Sequence, residues 1–139
     1  MELGGVNLVA IVIAALASMI VGMIYFSPAL FGNLWMRLSK ISKSDIKRIK
    51  VHGLNKNYFA SFIITAITAY VLSLFIKFSG VIGVVGGISI GLLAWLGFVA
   101  TTLLGGVLWD RRPVQLYLLN NFYQLISFIL MSIILSLWG

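Results

Sequence analysis

VIGVVGGISIGLLAWLGFVATTLLGGVLW, residues 81–109, carries no charged side chain and stops at Asp110-Arg111-Arg112-Pro113. As one helix it would run about 43 Å. The hydrocarbon core of a bilayer is ~30 Å thick and needs roughly 20 apolar residues. The stretch therefore predicts one transmembrane span over about 85–109, with the glycines Gly83, Gly86 and Gly87 in or near the preceding turn. A second uncharged stretch follows at 114–138, and another precedes it at 57–76. A fourth, 6–26, is interrupted only by Asn7 and Ser18 and ends at Ser27-Pro28, because the residue before proline is pushed out of helical geometry. The expected fold is all-α: a single-domain polytopic membrane protein built as a bundle of four transmembrane helices.

Composition agrees. The chain is 61% hydrophobic and 9% charged, where a soluble domain is about 25% charged. So few charges cannot cover a water-facing surface, and a lipid solvent removes the need. The net charge of +7 sits between apolar spans, so anionic headgroups of the bilayer are its expected partners and nucleic acid is not. No cysteine is present, which excludes disulfides and thiolate chemistry. The N-terminal apolar stretch lacks the basic flank of a signal peptide and reads as a retained span.

Orientation comes from the cations. Arg37, Lys40, Lys43, Lys47, Arg48, Lys50 and Lys56 fall between the first and second spans, and Arg111 and Arg112 between the third and fourth; only Lys77 lies in the middle gap. The positive-inside rule then places both basic gaps in the cytoplasm and both termini outside, in the cell membrane. Trp35, Trp109, Tyr25 and Tyr117 would mark the inner interface and Trp138 the outer one.

Within the first gap, Ser42-Lys43-Ser44-Asp45 has capping-box spacing, with Ser42 as N-cap. Ile46 and Ile49 follow on one side among Lys43, Lys47, Arg48 and Lys50, with Gly53 as a stop. This predicts a short basic helix on the inner leaflet; a solvated positive loop is the alternative. His52 reads as a surface residue. A weak echo links Gly22–Pro28 to Gly106–Pro113. It fits parallel repeats, and it also fits chance resemblance between two span-and-turn units.

Two patterns could carry function. On the third span, Gly83, Gly87, Gly91, Ala94, Thr101 and Gly105 fall within about 80° at 100° per residue. Small residues on one face let helices approach closely in lipid, so this is an expected packing seam, inside the bundle or against another subunit. On the fourth span, Tyr117, Asn120, Asn121, Gln124 and Ser127 share a face. Amides at membrane depth must find partners or water. Ser61 and Thr65 on the second span, Thr101 and Thr102 on the third and Ser18 on the first lie at matching depth. The face is either a polar pocket open to the cytoplasm or a set of interhelical hydrogen bonds. Trp109, Asp110, Arg111 and Arg112 form its inner mouth, as interfacial anchors with a local ion pair, or as a gate or anion site.

No Asp, Glu, Lys, Arg or His lies inside a span. Proton-coupled transport and metal transport each need such groups, and no nucleophile–base set is evident. No catalytic residues, metal ligands or cofactor are expected, and the chain is not read as an enzyme. So small a bundle encloses little volume, so homo-oligomers are expected.

Ser27-Pro28-Ala29-Leu30-Phe31-Gly32-Asn33-Leu34-Trp35 follows a Ser-Pro-x-x-Phe-Gly-x-x-Trp pattern. Gly97-Phe98-Val99-Ala100-Thr101-Thr102, Leu108-Trp109, Arg112-Pro113, Asn120 and Tyr123 continue it. In these motifs the chain resembles the family called domain of unknown function 1761, small prokaryotic integral membrane proteins. Tyr25-Phe26 stands where that family commonly has Trp-Tyr, and Asp110 where it commonly has Glu. The resemblance implies four spans and carries no activity. Two functional readings stay open. One is binding or passage of a small polar solute or ion along the fourth-span face. The other is a non-transporting scaffold that binds a partner or lipid through its basic loop.

Overall fold

The computed structural model describes residues 2–3, 5–42, 44–45, 47–48 and 54–138. Four helices are long and apolar enough to cross a membrane: Leu8–Tyr25, Lys56–Ser79, Gly83–Leu108 and Val114–Trp138. They are called the first to fourth spans.

The first span opens on a ribbon in which β1 (Glu2–Leu3) pairs antiparallel with β2 (Val6–Asn7). Asn7 then caps the helix, its Oδ1 accepting the N–H groups of Val9 (3.0 Å) and Ala10 (3.5 Å). This satisfies donors that a helix start leaves open. At the other end the Ser-Pro-x-x-Phe-Gly motif closes on itself. The N–H groups of Leu30 and Gly32 donate to the Ser27 carbonyl (3.0 and 2.9 Å), and that of Phe31 to Tyr25 (3.1 Å). Only glycine fits at Gly32: a Cβ there would stand 2.3 Å from the Phe26 carbonyl oxygen. The loop launches a short helix, Gly32–Ser39, that the sequence did not suggest. Its Trp35 ring meets Phe26 (centroids 5.9 Å apart).

In the basic gap both halves of the capping box form. Ser42 N–H donates to Asp45 Oδ2 (3.0 Å), and Asp45 N–H to Ser42 Oγ (3.2 Å). The backbone Ser42 N–H, then the Ser42 hydroxyl, then the Arg48 charge hold the Asp45 carboxyl below its usual range. Residues 44, 45, 47 and 48 are helical. Lys43, Ile46, Ile49, Lys50, His52 and Gly53, on which the rest of the surface-helix reading falls, lie outside the described residues.

The fourth span is the hub, packed against the first and third and more lightly on the second. The apolar core, including Ala10, Ile11, Ala14, Ala69, Leu72, Ile76, Ala94, Phe128, Met131 and Leu135, fills the half of the bundle away from the basic gaps. The second span is buried only at Ala69, Leu72, Ser73 and Ile76, whereas residues 56–61 are exposed throughout. It is held in the core half and stands clear at the basic end. Its helix, Leu54–Ser79, outruns the apolar limits read from sequence because it continues through Lys56 and Lys77.

The third span is not one continuous α-helix. A six-residue π segment, Trp95–Ala100, separates Gly83–Ala94 from Thr101–Leu108. This corrects the small-residue stripe. Gly87 and Gly91 do pack against the fourth span, where an added Cβ would stand 2.4 Å from Ser136 Oγ and 2.1 Å from Ser132 Oγ respectively. Ala94 is buried with them. Gly83 and Gly105 meet nothing within 4 Å, and Thr101 is exposed. Each i→i+5 turn holds one more residue than an α turn. Thr101 and Gly105 are therefore carried about 100° off the seam, and the residues that meet the fourth span beyond the π segment are Ala100, Leu103 and Val107. Of these, Ala100 is buried, and Leu103 and Val107 border the fourth span.

Candidate functional site

The polar residues of the fourth span separate into three groups by direction. Toward the third span, Trp95 Nε1 donates to both Asn121 Oδ1 (3.0 Å) and the Asn121 carbonyl (3.1 Å), and Tyr117 Oη donates to the Ala100 carbonyl (2.9 Å). These two contacts bracket the π segment. Toward the first span, Ser127 and Ser18 share a hydroxyl hydrogen bond, and Tyr123 Oη donates to the Ser18 carbonyl (3.1 Å). Tyr25 Oη donates to the Leu119 carbonyl (2.6 Å) from a buried position. Gly22 makes room for Tyr123, whose Oη would stand 2.8 Å from a Cβ at that position.

Asn120 and Gln124 form the third group. At 100° per residue Gln124 lies about 60° from both Asn121 and Ser127, between the two bonded groups, and Asn120 about 40° from it. Both are half-buried, and neither has a hydrogen-bond partner among the described residues. Their polar atoms are not sealed either, since the buried side-chain atom left without a partner is Ser132 Oγ, against Gly91.

The other expected lining residues do not join them. Ser61, Thr101 and Thr102 are exposed. Thr101 Oγ1 donates to its own helix at the Gly97 carbonyl (2.7 Å), as Thr65 does at Ser61 (2.7 Å). Matching depth placed these hydroxyls at the right level but on the wrong faces.

At the basic end, Tyr117 and Asn120 line a cleft of ≈ 30 Å³ with Arg112, Leu103, Val107 and Leu116. Trp109, Asp110 and Arg111 are exposed and lie outside it, and no ion pair joins Asp110 to either arginine. Tyr25 and Tyr117, expected as interface markers, are instead bonded inside the bundle. Trp109 and Trp138 are exposed at opposite ends of the spans. Among the described residues no cluster of metal-ligating side chains occurs.

Sequence reasoning missed Trp95, Tyr25 and Tyr123 as donors within this site. The available signal was an indole N–H and phenol hydroxyls at membrane depth, each of which needs an acceptor.

Fold and site together define a small four-helix membrane protein with a polar face on its last span. The chain belongs to the family described as Protein of unknown function (DUF1761), which matches residues 9–136. Neither a curated protein nor a solved structure matches it.

Proposed function

We propose that the protein binds a small polar solute or ion at the basic end of its bundle, against Tyr117, Asn120 and Gln124 of the fourth span. The observation that carries this reading is the pair of unpartnered amides. In a membrane interior such groups need protein or water; Asn120 lines the cleft with Arg112 and Tyr117, and Gln124 lies one turn further along the same face. The opposite half is packed by the apolar core, and the larger opening beside it, ≈ 390 Å³ between the second, third and fourth spans, has an almost wholly apolar lining, which favours binding over passage of a polar solute. A cleft of ≈ 30 Å³ has room for about a water, so it suits one small polar group of a ligand and not a whole large solute. The same reading puts the basic end in the cytoplasm and both termini outside, with copies of the chain associating in the cell membrane. No enzymatic step is assigned.

Cysteine accessibility tests it, since the chain has no native cysteine. Gln124→Cys should react with a small membrane-impermeant thiol reagent supplied at the basic end, whereas Met131→Cys, 1% exposed, should not. An inert Gln124→Cys, with unchanged stability of an Asn120→Leu/Gln124→Leu double variant, would remove the solute site. Lys40→Cys should label from inside and Ile82→Cys from outside; the reverse would invert the topology.

The second reading, a scaffold acting through the basic gap, draws support from the formed Ser42–Asp45 cap and the Gly32–Ser39 helix beside it. It becomes the first choice if Gln124→Cys is inert.

A further inference from the structure

The cleft at the basic end is organised around a guanidinium. Arg111 has left-handed backbone (φ 57°), a conformation that crowds any residue with a Cβ. That reversal brings Arg112 N–H onto the Gly106 carbonyl (3.1 Å) and lays the Arg112 side chain back across Gly106. A Cβ on Gly106 would stand 3.3 Å from Arg112 Cδ and 3.8 Å from its Nε, so the glycine leaves the space that the arginine uses. An unfavourable turn and a missing side chain thus cooperate to seat Arg112 beside Tyr117 and Asn120, over the apolar walls Leu103, Val107 and Leu116.

Among the described residues no protein group answers the charge. Asp110, two residues away, makes no ion pair with it, and Arg112 has no side-chain hydrogen bond among the described residues. Tyr117 Oη already donates its hydrogen bond to the Ala100 carbonyl. Asn120 has a free amide with two donors. A cation would be repelled, and a neutral solute would leave the exposed guanidinium paired with water alone. A tetrahedral oxyanion can offer two oxygens to the guanidinium fork and a third to the amide. We infer that this cleft receives a phosphate-type oxyanion, either free in solution or as the headgroup of an anionic lipid entering from the bilayer beside it. The inference rests on the solute site proposed above and names its ligand class.

Val107→Cys places a reporter in the cleft without touching Arg112 or Asn120. Its reaction with a small neutral maleimide is followed in phosphatidylcholine vesicles. Inorganic phosphate, against sodium chloride of equal ionic strength, should slow it severalfold if the anion is free. Phosphatidylglycerol in the vesicles should slow it, with phosphate inactive, if the anion is a headgroup. In either case Arg112→Gln should abolish the protection, Arg112→Lys should weaken it and Arg37→Gln should leave it intact. Ready labelling that neither phosphate nor phosphatidylglycerol slows, or protection that survives Arg112→Gln, overturns the oxyanion site and leaves a hydrated polar site standing. A Val107→Cys that never reacts shows a closed cleft and overturns both.

Discussion

The two halves of the third span carry glycines at the same helical spacing and use them in opposite ways. In Gly83–Ala94, Gly87 and Gly91 let the fourth span come so close that the Phe128 carbonyl would stand 3.0 Å from a Cβ on Gly91. In Thr101–Leu108, Gly105 faces open space. The residues are alike; what differs is the π segment between them, which advances the phase so that one half's seam is not continued by the next half's small residues. A stripe read at constant pitch is a statement about packing only while the pitch holds. Both ends of the segment are tied to the fourth span, through Trp95 to Asn121 and through Ala100 to Tyr117.

The harshest test of the contrast is to delete Gly97. Losing one residue should return the segment to α geometry and leave Thr101, Gly105, Leu103 and Val107 on their present faces, because the π turn holds one residue more than an α turn. Labelling of single cysteines at 105 and 107 should keep its present pattern, with far-ultraviolet circular dichroism unchanged. An exchanged pattern would mean that something other than the π turn sets the phase. Next in size, Gly91→Leu should overpack the seam at a cost of about 1–3 kcal/mol, whereas Gly105→Leu should stay within about 0.5 kcal/mol of the parent. Thermal unfolding in detergent reads both, and equal losses would erase the difference between the halves. Trp95→Phe should follow at about 1–3 kcal/mol, because it leaves the buried Asn121 amide oxygen unpaired. Adding Asn121→Leu should recover part of that loss in a double-mutant cycle.

The smallest effect lies outside the bundle. The Asp45 carboxyl is held below its ordinary value of 3.8. A depressed folded-state value contributes stability that is complete above the ordinary value and is lost as pH falls through the lower one. Acidification below about 3.8 should therefore fray the helix start at Ser42–Asp45, seen as faster amide exchange there, and spare the spans. Asp45→Asn should remove the pH dependence, whereas Ser42→Ala, which keeps the backbone N–H donor, should only reduce it.

What could be read from sequence divides along physical lines. The limits of the helix Val114–Trp138 are legible because Pro113 and the arginines before it mark its start, and the Ser42–Asp45 cap because its whole geometry lies within four residues. The helix Gly32–Ser39 escaped notice because it has no side-chain cap and ends on left-handed Lys40 in place of a glycine. The shared face of Tyr117, Asn121 and Ser127 was legible from helical period. Their partners were not, since several are backbone carbonyls, at Ala100, Leu119 and Ser18, which leave no mark in a sequence. Thr101, Thr102 and Ser61 were matched by depth, and depth says nothing about azimuth.

The uneven burial of the second span has a mechanical corollary. With its bearing in the turns from Ala66 to Ile76, the segment from residue 56 to 65 is a cantilever of about 14 Å. A tilt of about 10° at the bearing displaces its tip by about 2.5 Å. Leverage at the bearing, more than packing along its length, then fixes how far the basic end of the second span can swing.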